Sequence, residues 1–258
     1  MPTPTSPNSW QLEKHDARLQ LDPLRARVDL SQPADGLVEI YVARTTFPEA
    51  HLLGVAMPSF TPGDGEALIE HRARGADLVA AYRESASWPV QTDALWRAVA
   101  PTGSDGFLAA IELCLSVRTE LLDSQPGLTV QTALPSAEVL RLVDGAPARF
   151  MPCNAAPDSS RRLEPDGGPG CLLFRPAGSD LSYAEMVHPA DFRASELSFG
   201  SDPPAAVHVR HRLFSEPLEK GVILRARVRG VFLPRNDDTR TAAECYAAFA
   251  VAEPPLGV

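Results

Sequence analysis

Apolar residues recur at every second position through most of this chain, the signature of strands with one face buried and the other polar. Phe107, Ala109, Ile111, Leu113, Leu115 and Val117 alternate with Glu112, Cys114, Ser116 and Arg118 and give the clearest amphipathic strand of the first half. The same periodicity predicts strands at 17–21, 24–30 and 37–47, separated by the turns Asp22-Pro23 and Gln32-Pro33-Ala34-Asp35-Gly36, so an antiparallel meander is expected there. Further strands are predicted at 77–84, 89–99, 128–134, 138–143, 171–176, 180–188, 192–199, 206–214 and 221–234. Residues 54–75 contain Pro58, Pro62, Gly63, Gly65 and Gly75, and read as a long excursion with a short helical turn near 66–72.

Two basic segments stand out. His208, Arg210 and Arg212 take alternate positions in 207–213, and Arg225, Arg227 and Arg229 do so in 222–233, interleaved with Leu224, Ala226 and Val228. The pair is expected to form a long hairpin in which both arginine rows share one face, for example with Arg210 opposite Arg225, while Leu224, Ala226 and Val228 enter the core. Like charges placed opposite each other repel, so Asp29, Glu39, Asp93, Glu112 or Glu185 is expected nearby as a neutralising acid, or else an anionic ligand. Residues 145–170 turn to Pro, Gly, Asp and Ser and are expected to form an ordered loop outside the sheets. At the end, Asp237 and Asp238, the capping-box form Thr241-Ala-Ala-Glu244 and an Ala-rich run predict a helix over 238–251.

About fourteen strands cannot remain one open sheet. The expected fold is therefore all-β, a large antiparallel β-sandwich with a C-terminal helix, built as a single domain over 13–258 behind a disordered or extended tail at 1–12. Composition adds boundaries to that picture. With 25 prolines in 258 residues, the chain favours many turns over long helices. A net charge of -9 argues against general nucleic-acid binding, although 207–235 is locally basic, with seven Arg and Lys against Glu216 and Glu219. There is no apolar run long enough for a membrane span and no leader pattern, so a cytoplasmic location is expected, with the oligomeric state left open. Cys114, Cys153, Cys171 and Cys245 lack CxxC pairing. Cys114 and Cys245 read as buried small hydrophobes, while Cys153 and Cys171 bracket a loop that a disulfide could close.

Candidate chemistry falls into four groups. The arginines Arg210, Arg212, Arg225, Arg227 and Arg229 offer bidentate forks for an anionic ligand, or form a structural charge ladder. Glu185 and His188, with Tyr183 and Asp191 near them, have the residue types for general acid/base work, yet 185 and 188 differ in parity and face opposite ways in a regular strand. His208 and His211 also differ in parity, which places His208 with the arginines and makes His211 a hydrogen-bonded core histidine. Asp64, Glu66, Glu70 and His71 supply oxygen ligands without calcium-loop spacing, and no metal or cofactor is expected. Tyr82, Trp88 and Trp96 are either core or a stacking platform.

The segments Asp77-Leu-Val-Ala-Ala-Tyr82 with Trp96-Arg97, Leu181-Ser-Tyr-Ala-Glu-Met-Val-His-Pro189, and Leu218-Glu-Lys-Gly-Val-Ile-Leu-Arg225 running to Phe232-Leu-Pro234 resemble a group of uncharacterised bacterial proteins of about this length. The number and order of strands is similar to the supersandwich of galactose mutarotase-like proteins, whose concave sheet holds a sugar. That resemblance implies a carbohydrate ligand, with acidic sugars suited to Arg210, Arg212, Arg225, Arg227 and Arg229 and with Tyr82, Trp88 and Trp96 available to stack. Two alternatives stand beside it: a sugar epimerase or lyase-like enzyme, for which His188, Glu185 and His208 are the candidate acid/base residues, and a non-catalytic protein-interaction domain whose sheet or basic stripe meets another protein. The His and Glu pattern of mutarotases proper is not matched residue by residue.

Overall fold

The computed structural model describes residues 9–58, 60, 67–85, 88–102, 106–136, 138–145, 147–153, 156–200 and 206–254. Its strands form two antiparallel sheets. The first runs, edge to edge, through β1 (Trp10–Glu13), β2 (Asp16–Leu21), β3 (Leu24–Asp29), β4 (Leu37–Val42), β6 (His51–Ala56), β11 (Thr129–Pro135), β18 (Ala206–Arg212), β17 (Ala194–Phe199) and β14 (Ser160–Leu163), with β5 (Thr45–Phe47) paired to β4. The second runs through β13 (Ala148–Pro152), β12 (Glu138–Gly145), β15 (Cys171–Arg175), β16 (Leu181–Val187), β19 (Ile223–Pro234), β10 (Ala109–Arg118), β9 (Gln91–Val99), β8 (Asp77–Tyr82) and β7 (Leu68–Arg74). The helix α1 (Asp238–Val251) follows.

Period-two alternation explains the sandwich. Leu24, Ala26 and Val28 of β3, Val207 and Val209 of β18, and Ala226 and Val228 of β19 all point into one continuous apolar core between the sheets. Each fully buried Leu or Val there contributes roughly 1.5–3 kcal/mol relative to exposure. The second sheet also has apolar residues on its outer face, where Ala110, Leu140, Leu142, Leu173, Ala184, Met186, Val231 and Leu233 meet Ala242, Ala243, Cys245 and Phe249 of α1. Burial on both faces is why β16 has seven buried residues and no visible alternation. At its first turn α1 is anchored by Asp238, whose carboxylate accepts from Arg175 Nε at 2.9 Å and from Ser182 Oγ at 2.6 Å.

Several expectations need correction. The two basic segments do not form a hairpin: β18 lies between β11 and β17 in the first sheet, while β19 lies between β10 and β16 in the second. Each therefore keeps its own alternation, but the Arg210/Arg212 row and the Arg225/Arg227/Arg229 row sit on outer faces of different sheets. Local periodicity fixes which way side chains point and is silent on which strand is the neighbour. The span 37–47 breaks into β4 and β5 because Ala43 and Arg44 adopt positive φ and form a tight turn. The excursion expected over 54–75 begins inside β6, and the expected helical turn near 66–72 is instead the edge strand β7 within the described residues. Residues 145–170 do enter the sheets, supplying the edge strand β13 to one and β14 to the other. Trp10–Leu12, the end of the expected tail, pair with β2 as part of β1, and Trp10 is buried. The helix spans 238–251 as expected, but it begins three residues before Thr241, so the capping box does not start it, and its N-cap, Asp237, makes no side-chain cap bond. All four cysteines are buried and free, including Cys153 and Cys171.

Candidate functional site

On the outer face of the first sheet, β6, β11, β18, β17 and β14 floor a cleft of about 470 Å³. Its polar side chains follow from strand register. One row across the strands reads His51, Ala133, His208, Ser198 and Ser160, and the next reads Gly54, Gln131, Arg210 and Glu196. His51 and His208 are thus two strands apart, about 10 Å between backbones at ordinary strand spacing, with only the methyl of Ala133 between them. Asp35 borders the same cleft and approaches His51 Nδ1 at 3.8 Å. Glu196 is held by Arg212, whose Nε donates at 3.1 Å. Arg210 makes no ion pair or side-chain hydrogen bond among the described residues, and its guanidinium is exposed beside the cleft.

His51 reaches this face because of a β-bulge. His51 pairs with Ala133 and Gly54 with Gln131, so Leu52 and Leu53 together stand opposite the single residue Thr132. Without the extra residue His51 would point into the core; with it, both leucines are buried and the histidine turns outward. Leu53 takes φ 55°, a left-handed conformation costly for a branched side chain. It is held from both sides, since its N–H donates to Thr132 Oγ1 at 3.0 Å and its carbonyl accepts from Trp96 Nε1 at 3.2 Å. Gly54 has no room for a Cβ, because the carbonyl of Ala34 packs against it, and that close approach brings the turn carrying Asp35 to the cleft. Gln131 Nε2 fastens the same carbonyl at 2.8 Å.

Beneath the cleft lies a closed polar network in the core. Glu185 of β16 accepts from Thr132 Oγ1 at 2.6 Å and Tyr183 Oη at 2.7 Å through one oxygen, and meets His211 Nε2 at 2.7 Å through the other. His211 Nδ1 in turn meets Ser195 Oγ at 2.7 Å. Burial, with the Glu185 carboxylate beside it, pushes the Tyr183 phenol well above its ordinary value and keeps it a donor. Ser195, His211 and Glu185 have the order of a hydrolytic relay, but Glu185 and His211 are both 0% exposed, and the arrangement works as a cross-sheet tie.

The remaining predicted residues are dispersed. Glu185 and His188 lie on opposite faces of the second sheet, as their parity requires: Glu185 is in the core network, and His188 packs against Phe249 of α1 with ring centroids 5.5 Å apart. Burial, then the Arg227 guanidinium, lowers the His188 pKa. His208 sits on the first sheet, so His188, Glu185 and His208 do not meet in one place. Of the arginines, Arg210 borders the cleft and Arg212 holds Glu196, whereas Arg225, Arg227 and Arg229 belong to the far side of the molecule. There Glu112, one of the five acids expected from sequence, accepts from Arg229 Nε at 3.1 Å and lies 3.8 Å from Arg227 Nη1. Tyr82, Trp88 and Trp96 are core residues and offer no stacking surface. Glu70 pairs with Arg72 and His71 stacks edge-on with His15, while Asp64 and Glu66 lie outside the described residues. The sequence reading found His208 and Arg210 but missed His51, Asp35, Gln131 and Glu196, which only the bulge and the cross-strand register bring together.

No family model and no curated protein matches this chain. Solved structures do. A candidate aldose 1-epimerase from Escherichia coli K12 superposes with a TM-score of 0.55 at 9% identity, covering 88% of this chain and 99% of that one. A protein from Synechocystis sp. PCC 6803 gives a TM-score of 0.58 at 8% identity, covering 91% and 100%. A candidate mutarotase from Salmonella typhimurium gives 0.54 at 12% identity, covering 89% and 97%. At such identities the likeness is one of architecture: this chain shares with these structures a fold of two large antiparallel sheets.

Proposed function

We propose that the outer-face cleft of the first sheet binds a carbohydrate, and that Arg210 favours one carrying a carboxylate or other anionic group. The observation that carries this reading is the register row in which His51 and His208 flank Ala133, with Gln131 and Arg210 one row away. Two histidines on strands about 10 Å apart, with a small residue between them, leave room for one sugar ring, and Gln131, Ser198 and Ser160 supply the hydroxyl partners such a ring needs. An exposed guanidinium with no side-chain partner among the described residues is suited to bidentate recognition of a carboxylate. The fold of the structural neighbours lends weight to a sugar over other small ligands. Titration calorimetry with galactose, glucose, galacturonate and glucuronate tests it: uronates are expected to bind more tightly than the neutral sugars, and Arg210→Ala is expected to remove the difference. Equal affinity for both classes in the native protein would discard the acidic-sugar part.

Epimerisation at the anomeric carbon is the second reading, favoured by the Asp35 and His51 approach with His208 across the cleft. Ring opening needs one group to donate a proton and another to remove one, and two histidines on either side of a ring have that capacity. Polarimetry of freshly dissolved α-glucose and α-galacturonate separates the readings. Catalysed mutarotation lost in both His51→Asn and His208→Asn supports the enzyme; binding with unchanged mutarotation leaves a binding protein.

A further inference from the structure

The cleft on the first sheet is longer than one sugar ring needs. Its floor crosses from His51 on β6 to Ser160 on the edge strand β14, so its ends lie about 19 Å apart at ordinary strand spacing. The register row repeats itself along that length. Ala133 is a small residue between His51 and His208, and Ser198 is a small residue between His208 and Ser160, again over about 10 Å. His208, Ser198 and Ser160 are all exposed, so the second stretch is open to a ligand. The two ends differ. At β6 the turn carrying Asp35 closes the cleft, since the Ala34 carbonyl packs on Gly54 and is fastened by Gln131 Nε2 at 2.8 Å. At β14 the sheet stops: among the described residues that strand pairs only with β17, and Ser160, Arg161 and Arg162 are exposed. A chain of sugars can leave over β14 and cannot continue past the turn.

Charge divides the cleft in the same way. Arg210 flanks the first stretch, and its register partner Glu196 flanks the second. Arg212 Nη2 at 2.9 Å and Arg162 Nη1 at 3.7 Å both meet Glu196 through Oε1, and the Glu196 side chain is 37% exposed. Held through one oxygen, the carboxylate has the other with which to accept from the hydroxyls of a ring over Ser198. We propose that the cleft takes the terminal disaccharide of an acidic glycan, with a uronate at the closed end over Ala133 beside Arg210 and a neutral sugar over Ser198 beside Glu196. The proposal rests on the sugar reading of this cleft and adds the second unit to it. A second uronate is disfavoured there, because its carboxylate would face Glu196 with Arg212 and Arg162 already paired to that acid.

Three probes, titrated calorimetrically into the full chain at matched ionic strength, test it: glucuronate, cellobiouronate (glucuronate β-1,4-linked to glucose) and β-1,4-diglucuronate. Cellobiouronate is expected to bind about tenfold more tightly than glucuronate, the size of one added hydrogen bond to a charged group, and diglucuronate no more tightly than glucuronate. Ser198→Tyr, which fills the second stretch from an exposed position, should bring cellobiouronate and glucuronate to equal affinity. Glu196→Gln should erase the preference for cellobiouronate over diglucuronate. Glucuronate binding with cellobiouronate no tighter overturns the second unit alone, and no binding by any of the three overturns it together with the sugar reading. Diglucuronate binding as tightly as cellobiouronate to the native protein, or a tenfold preference for cellobiouronate over glucuronate kept in Ser198→Tyr, also overturns the proposal.

Discussion

Replacing Glu185 by Leu would test whether the buried network ties the sheets together. Glu185 is inaccessible to solvent and serves three partners, so the substitution strands the Tyr183 hydroxyl, the Thr132 hydroxyl and His211 Nε2 in the core. Each stranded group costs about 1–3 kcal/mol, and removing one member of a buried charged set typically costs about 3–5 kcal/mol in all. For a chain of this size each kcal/mol moves the melting temperature by about 2–4 °C, so a fall of roughly 6–20 °C is expected. Urea and thermal denaturation of Glu185→Leu, His211→Leu and the double variant measure it. The double variant should be less destabilised than the two singles added together, because the second change removes a group the first had stranded. Thr132 also loses the acceptor that orients its hydroxyl, so the Leu53 amide should exchange with solvent faster. Glu196→Gln is the control, since its pair with Arg212 is partly solvated and worth less than about 1 kcal/mol. A drop no larger than the control's, or strictly additive singles, would refute the tie.

Three further outcomes follow from particular contacts. Gly230→Ala places a methyl where the Tyr183 hydroxyl lies, so it should displace the phenol from Glu185 and destabilise the fold by at least 1 kcal/mol by the scale of overpacked cores, read as a lower urea midpoint with unchanged slope; an Ala protein as stable as the native one contradicts the packing. Burial alone would raise the Asp238 carboxyl, but hydrogen bonds from Arg175 and Ser182 outweigh it and leave it below its ordinary 3.8, so the docking of α1 has its full stability above that pH and loses it as the pH falls through the lowered value. Asp238→Asn should flatten that acid limb of the stability profile, and an unchanged limb would exclude Asp238 as its source. Leu52 deletion should remove the bulge and turn His51 inward, lowering sugar affinity more than His51→Ala does; equal losses would mean that the bulge only aims His51.

The strand pattern was readable because alternation is a local property. Leu224, Ala226 and Val228 do face the core and the arginines between them do face outward, as the sequence indicates. Pairing was not readable, since nothing in Arg210 or Arg225 says that one strand joins the first sheet and the other the second. Strand β16 shows a related limit: with α1 covering its outer face, apolar residues fill both parities, and Glu185 looks like an ordinary polar residue until His211 arrives from the other sheet. For the cleft, His208 and Arg210 were visible on an alternating strand. His51 was hidden because its outward direction depends on one extra residue in β6, and Asp35 because it arrives on a turn packed against Gly54.

The claim that the first sheet's outer face is a carbohydrate site is tested most directly by following backbone amide resonances of the labelled protein during titration with galacturonate. The account predicts saturable shifts centred on His51, Gln131, Glu196, His208 and Arg210, with the amides around Ser116 and Arg227 on the far face unmoved. Saturable shifts confined to another surface, or none at sugar concentrations well above the millimolar range, would contradict it.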